Sequence, residues 1–238
     1  MTLGGDDHAG ERSKGAGSLR PGLIWDFPLR AFHVCLLIAT SAAFVTQWLG
    51  EDWFAWHRIA GYTVWVLILF RFFWGWVGPR YARFASFVHS PTQAWVALTR
   101  LSKRRHQTSL GHNPLGGWMI VVMLVMLGLQ ALLGLFSQDE ISEVGPLVGY
   151  VSTHLSHLLS HYHRLLSNVI LAAIGLHLAA VVYYQWVLKD DLIRPMLTGL
   201  KAQVPPGEAI PSQRLWWALA TLGIVAGAVG LILTALPG

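Results

Sequence analysis

Charged positions along this chain gather in short blocks and leave long stretches with none. Residues 31–50, 107–138, 165–188 and 215–238 hold no charged side chain, and a helix needs about 20 predominantly apolar residues to cross a bilayer. Each run therefore predicts a membrane span. A fifth run, 54–77, is interrupted by Arg71 and opens near His57 and Arg58, yet 59–70 is continuously apolar, so it also reads as a span. The outline is a polar tail (1–24), then helices over about 28–49, 53–77, 114–136 and 150–188, and a last helix from 214. The fourth of these exceeds what a bilayer requires, so its first turns should project above the membrane or tilt in the interface. Residues 201–213, with Pro205, Pro206, Gly207 and Pro211, read as a helix-breaking spacer. The expected fold class is all-α and integral to the membrane. Residues 25–200 form a four-helix transmembrane bundle, and 214–238 add a fifth helix with no ionisable group past Arg214.

Composition agrees: 54% of the residues are hydrophobic and 12% charged, against roughly 25% charged in soluble domains. The glycine-rich tail is followed by an apolar run that is too long, and too free of small-residue cleavage signals, for a secretory signal, so it is expected to stay as an anchor. The net charge of +5 matters for topology and not for nucleic acid. Of 17 Lys and Arg, only Arg58 and Arg164 fall near one set of helix ends; the tail, Arg30 at the start of the first helix, the 80–105 and 189–214 loops, and Arg71 hold the rest. The positive-inside rule then places the N-terminus in the cytoplasm and, after five crossings, the C-terminus in the periplasm of a bacterial inner membrane. The single cysteine, Cys35, lies inside the first span, which excludes both a disulfide framework and a Cys-x-x-Cys-His haem attachment.

Eleven histidines is a high count for this length, and metal-binding or ionisable residues inside spans are usually functional. His163 and His177 stand 14 residues apart on the fourth helix, which puts them within roughly 40° of one face and about 21 Å apart along the axis. One then sits near each membrane surface, as required of a helix that supplies an axial ligand to each of two stacked haems. Topology pairs His33 with His177 at the cytoplasmic end and His57 with His163 at the outer end. Arg58 and Arg164 each follow an outer ligand and suit haem propionates; Arg71, 14 residues after His57, suits a propionate of the inner haem. A lone transmembrane histidine often makes only an interhelical hydrogen bond, worth about 0.6 to 2 kcal/mol, but four at paired depths ask for more. His154, His157 and His161 form a separate row whose simplest reading is an interfacial surface. His8, His89 and His106 read as loop residues, and His112 as a helix-start residue. Trp48, Trp53, Trp76, Tyr183 and Trp186 read as an interfacial belt.

Several of these segments, namely 25–33 with its terminal His33, Trp56-His57-Arg58, 69–75 around Arg71, and the His163/His177 helix, resemble the bacterial cytochrome b-561 family. That family includes the b-type cytochrome subunit of nickel-iron hydrogenases. The likeness covers about 25–198; Gly-His-Asn-Pro-Leu-Gly-Gly (111–117) and Arg-Pro-Met-Leu-Thr-Gly (194–199) also look typical of its small members. It implies a four-helix core, bis-histidine haem b and electron exchange with quinone. The fifth helix and the long basic loop before the third span depart from that core.

The expectation is a membrane cytochrome with two noncovalent b haems, passing electrons between an outer redox protein, a c-type cytochrome or a hydrogenase-like subunit, and the quinone of a respiratory chain. Asp26, Arg30 and His112 lie where an inner quinone site would fall. The rival reading is a superoxide or other small-oxidant:quinone oxidoreductase using the same haems; outer acidic residues Glu51, Asp52, Asp139, Glu140 and Glu143 disfavour superoxide. A non-redox metal or ion transporter, the third reading, would need polar residues along the third and fifth spans, where almost none occur.

Overall fold

The computed structural model describes residues 19–102, 109–138 and 144–235. Five long helices cross the molecule: α1 (Phe27–Leu49), α2 (Phe54–Val77), α5 (Pro114–Leu135), α6 (Thr153–Val182) and α8 (Leu215–Ala235). Short α3 (Phe84–Phe87) and α4 (Pro91–Ser102) lie between α2 and α5, and α7 (Ile193–Thr198) follows α6. Two strands, β1 (Arg20–Leu23) and β2 (Leu200–Val204), and short 3-10 turns between the helices are also present. All five long helices are long and apolar enough to span a bilayer.

Polar side chains at the caps fix where three spans begin. The Asp26 carboxylate accepts from Leu29 N at 2.8 Å ahead of Pro28, the Asn113 amide oxygen accepts from Gly116 N at 2.7 Å ahead of Pro114, and Ser152 accepts from Leu155 N at 3.3 Å. Each side chain satisfies an amide that has no partner within its own helix, and proline at the first helical position loses no bond there. α6 passes without a break into a π-helical turn, Tyr183–Val187, so its end agrees with the expected limit near 188.

α1 and α2 form an antiparallel hairpin, α5 packs on α2, α6 on α5, and α8 lies against α2 with a lesser contact to α1. The core gathers Leu29, Phe32 and Ala39 of α1, Val64, Leu67, Ile68, Phe70 and Trp74 of α2, Leu127 of α5, Ile170 of α6 and Ala218 of α8. Outward faces carry Leu37, Ile38, Val125, Leu176 and Ile224, which suits a lipid solvent.

Two parts differ from the sequence pattern. The 80–105 segment is not only loop: twelve residues of it form α4, too short to span, packed on α5. The 201–213 segment is more than a spacer, because β2 pairs antiparallel with β1, setting Gly22 against Lys201 and Leu23 against Leu200. A Cβ at Gly22 would lie 3.0 Å from Val204, which is why glycine stands there. Ile210 N donates to Leu23 O at 2.8 Å, Phe27 N to the Gln213 side chain at 2.9 Å, and the Arg214 guanidinium to Val77 O at 2.7 Å. These bonds tie the start of α8 to the ends of α1 and α2.

Candidate functional site

Two groups of polar side chains sit inside the bundle, one at each end. At the end nearer the α5–α6 connection, the rings of His57 on α2 and His163 on α6 have centroids 6.3 Å apart, with planes at 85°. Metal–imidazole bonds run to about 2 Å, and the ring centre lies about 1 Å further. Two imidazoles facing each other across one metal therefore need about 6 Å between centres. Ring protonation agrees as well. His57 Nδ1 lies 2.9 Å from Ala43 O and His163 Nδ1 3.0 Å from Gln130 O; a carbonyl only accepts, so each Nδ1 carries the proton and each Nε2 the lone pair. A backbone partner of this kind orients a metal-binding histidine.

A cavity of about 330 Å³ opens beside this pair, lined by Thr46, Gln47, Arg58, Gly61, Gly134 and Arg164 among others. A Cβ on Gly61 would meet nothing within 4 Å, whereas one on Gly134 would come within 3.1 Å of the His163 ring. Glycine thus leaves room on α2 and lets α5 approach the histidine. Both arginines following the histidines reach this cavity while remaining exposed. Below it the corner is pinned: the Ser156 hydroxyl donates to Phe136 O at 2.8 Å, and Ser160 Oγ accepts from Gln138 N at 2.9 Å.

At the opposite end His33 on α1 lies within electrostatic range of His177 on α6 and of His112 just before α5. Arg71 is 1% exposed, its guanidinium 5.0 and 5.6 Å from the ring centres of Phe84 and Phe87, and its Nη1 has no hydrogen-bond partner. A buried guanidinium with a free donor calls for an anion. Asp26 lies within electrostatic range of Arg71, while its carboxylate accepts from Leu29 N and from Trp74 Nε1 at 3.2 Å; burial pushes its carboxyl up. The His112 ring sits 4.4 Å from that of Trp25 and 5.1 Å from that of Phe87, with Nδ1 buried and unpartnered. Burial and the Arg71 charge push His112 down to about 3, so it is neutral. The Arg30 guanidinium donates to Leu197 O, while its Nε is buried without a partner.

The remaining histidines stay outside both groups. His154, His157 and His161 are exposed, and among the described residues no three His, Cys, Asp or Glu side chains assemble a metal site. His89 Nδ1 bonds to Phe87 O at 2.8 Å. His8, His106, Asp139, Glu140 and Glu143 lie outside the described residues. Sequence reasoning missed Gln130, which touches His163 twice, and the Phe84 and Phe87 rings over Arg71. Gln130 did carry a signal: apart from Trp118 it is the only polar side chain along α5.

Both groups fit haem by their donors: paired imidazoles of the right tautomer at one end, and at the other His33 within range of His177, with a buried cation that keeps one unpartnered donor. A mainly helical membrane protein with histidines facing one another between its spans has the make-up of a membrane cytochrome. The chain belongs to the prokaryotic cytochrome b561 family, whose profile matches residues 24–199, well over half its length, and so to the membrane proteins that transfer electrons through haem b. Comparison with curated proteins and with solved structures finds no match. α8 lies beyond the matched segment.

Proposed function

We propose that this protein is a di-haem cytochrome that carries electrons between a redox protein at the periplasmic face and the membrane quinone pool. The observation that carries the reading is the His57/His163 pair at one depth and the His33/His177 pair at the other, both shared by helices that the 14-residue spacing aligns. In each pair the two imidazoles would hold the iron of one haem b. Bound there, haem b supplies a one-electron iron centre with no open position, which favours electron transfer over reaction of a gas at the metal.

The chain's own groups do the rest. Ala43 and Gln130 carbonyls hold the outer imidazoles in the ligating tautomer. Arg58 and Arg164 would hold propionates at the outer cavity, and Arg71 would hold one at the inner end, where its unpartnered Nη1 supports the assignment. Asp26, Arg30 and His112 border the inner quinone site; the unpartnered Arg30 Nε and His112 Nδ1 favour a ligand with hydrogen-bonding oxygens. Exposed Glu51 and Asp52 at the outer corner suit a basic partner such as a c-type cytochrome, so its rate should fall as salt rises.

Haem per chain in the detergent-purified protein, by pyridine haemochrome, tests this directly. Two haems are expected, with His33→Ala or His177→Ala removing one and His57→Ala or His163→Ala the other. Colourless protein would overturn the reading. Loss of quinol-driven reduction in Asp26→Asn or His112→Leu, with haem retained, would place the quinone site.

A further inference from the structure

Gln130 holds the same imidazole at both nitrogens. Its backbone carbonyl accepts from His163 Nδ1 at 3.0 Å, and its side-chain Nε2 lies 3.2 Å from His163 Nε2. Because the Nδ1 proton is committed to the carbonyl, Nε2 has only a lone pair to offer, so the Gln130 amide donates and the imidazole accepts. The other end of that amide, Oε1, is buried without a partner. A polar side chain deep in an apolar helix that satisfies one atom and strands the other is an arrangement kept for what it touches. What it touches is the nitrogen that an iron must take. Gly134, one turn further along α5, supplies the close approach that makes both bonds reach, since any Cβ there would press on the His163 ring at 3.1 Å.

We propose that Gln130 is the positioning residue of the outer haem. Its amide caps the His163 Nε2 lone pair before iron arrives, gives up that nitrogen on ligation, and then remains beside the coordinated ring as a neutral dipole. The carbonyl bond to Nδ1 is the part that persists, so the ring does not reorient when the amide lets go. An N–H dipole near an iron centre favours its reduced form, because reduction lowers the positive charge that the dipole opposes. The inference rests on ligation by His57 and His163, and its test separates the two.

Full-length protein is purified as wild type, Gln130→Met, Gln130→Glu and His163→Ala, and haem per chain and both midpoint potentials are measured. Methionine fills the same space without the dipole. In Gln130→Met one midpoint should fall by about a tenfold change in the one-electron equilibrium, about 59 mV, and the other should stay. Haem uptake by the haem-stripped variant should also slow. Should Gln130→Met fail to hold haem, Gln130→Glu, which keeps the reach and brings negative charge, must lower the same midpoint. Unmoved midpoints and unchanged uptake in both variants, with His163→Ala losing one haem, would sink the role of Gln130 alone. Two haems retained in His163→Ala would sink the ligation and this role together.

Discussion

Replacing Gly75 by alanine sets two known effects against each other inside the protein. Alanine in place of glycine in a helix interior ordinarily stabilises by about 1 kcal/mol. Here the added Cβ would lie 2.1, 2.4 and 2.7 Å from three atoms of the Phe84 ring, which no real contact tolerates. The ring must move, and it is held from several sides: its centre is 6.3 Å from that of Phe72, 6.2 Å from Trp76 and 5.7 Å from Phe87, and the Arg71 guanidinium lies 5.0 Å above it. Forcing an extra methyl into such packing costs about 1–3 kcal/mol, and losing the desolvated cation–π contact adds up to about 2 kcal/mol. The clash therefore wins, and Gly75→Ala should lose about 2 kcal/mol net, the middle of a range of about 0–4 kcal/mol. Thermal unfolding in detergent, followed by tryptophan fluorescence, measures the difference. The same change made in a Phe84→Ala background meets no ring, so there it should stabilise by about 1 kcal/mol. Gly75→Ala as stable as wild type would show that Phe84 is not pinned and that the lid over Arg71 does not exist.

Acid should reveal His112. Its native state is neutral down to about pH 3, while an unfolded histidine takes a proton near pH 6.5. The unfolded chain therefore binds the extra proton between those values, and stability should fall on acidification by up to about 1.4 kcal/mol per pH unit. His112→Phe, which keeps the ring between Trp25 and Phe87, should flatten that slope; an unchanged slope in stability measured from pH 4 to 7 would reject it. Ser160→Ala leaves Gln138 N–H without its 2.9 Å acceptor in a buried corner, a loss of about 1–3 kcal/mol readable as a lower unfolding temperature.

What could be read from the sequence followed from periodicity and from the absence of charge. The five spans emerged within a few residues because the bilayer sets their length, and Asp26, Asn113 and Ser152 mark three starts as capping residues do. The arginines of 80–105 hide α4 in the sequence, although Trp95, Val96 and Leu98 stand within it. The β1–β2 pairing was out of reach: two short strands some 180 residues apart carry no local sign of each other. At the site, His33, His57, His163 and His177 stood out by type and interval. Their supports did not, since Ala43 acts through a carbonyl that every residue owns, and the aromatic cover of Arg71 comes from a segment read as loop.

The 14-residue interval on α6 makes its own test. Its first half is fastened to the end of α5 by Ser156 and Ser160, whereas its second half runs into the π-helical turn at Tyr183–Val187. Two alanines inserted after Ala173 would turn everything beyond them by about 200° and advance it about 3 Å; with the first half held at two serines, the rotation falls on the second, whose tie lies past its far end, where Tyr184 bonds the Asn113 side chain. A single inserted residue would decide less, because a π-bulge can absorb it. His163 then keeps its place opposite His57, and His177 swings to the far face of the helix. The variant should hold one haem with the outer potential and none with the inner, while the same dialanine placed after Gly207, where a Cβ meets nothing, should leave both. Two haems surviving the insertion at Ala173 would mean that register along α6 does not set the depth of the ligands; loss of both would mean that its serine-anchored half does not hold the outer site by itself.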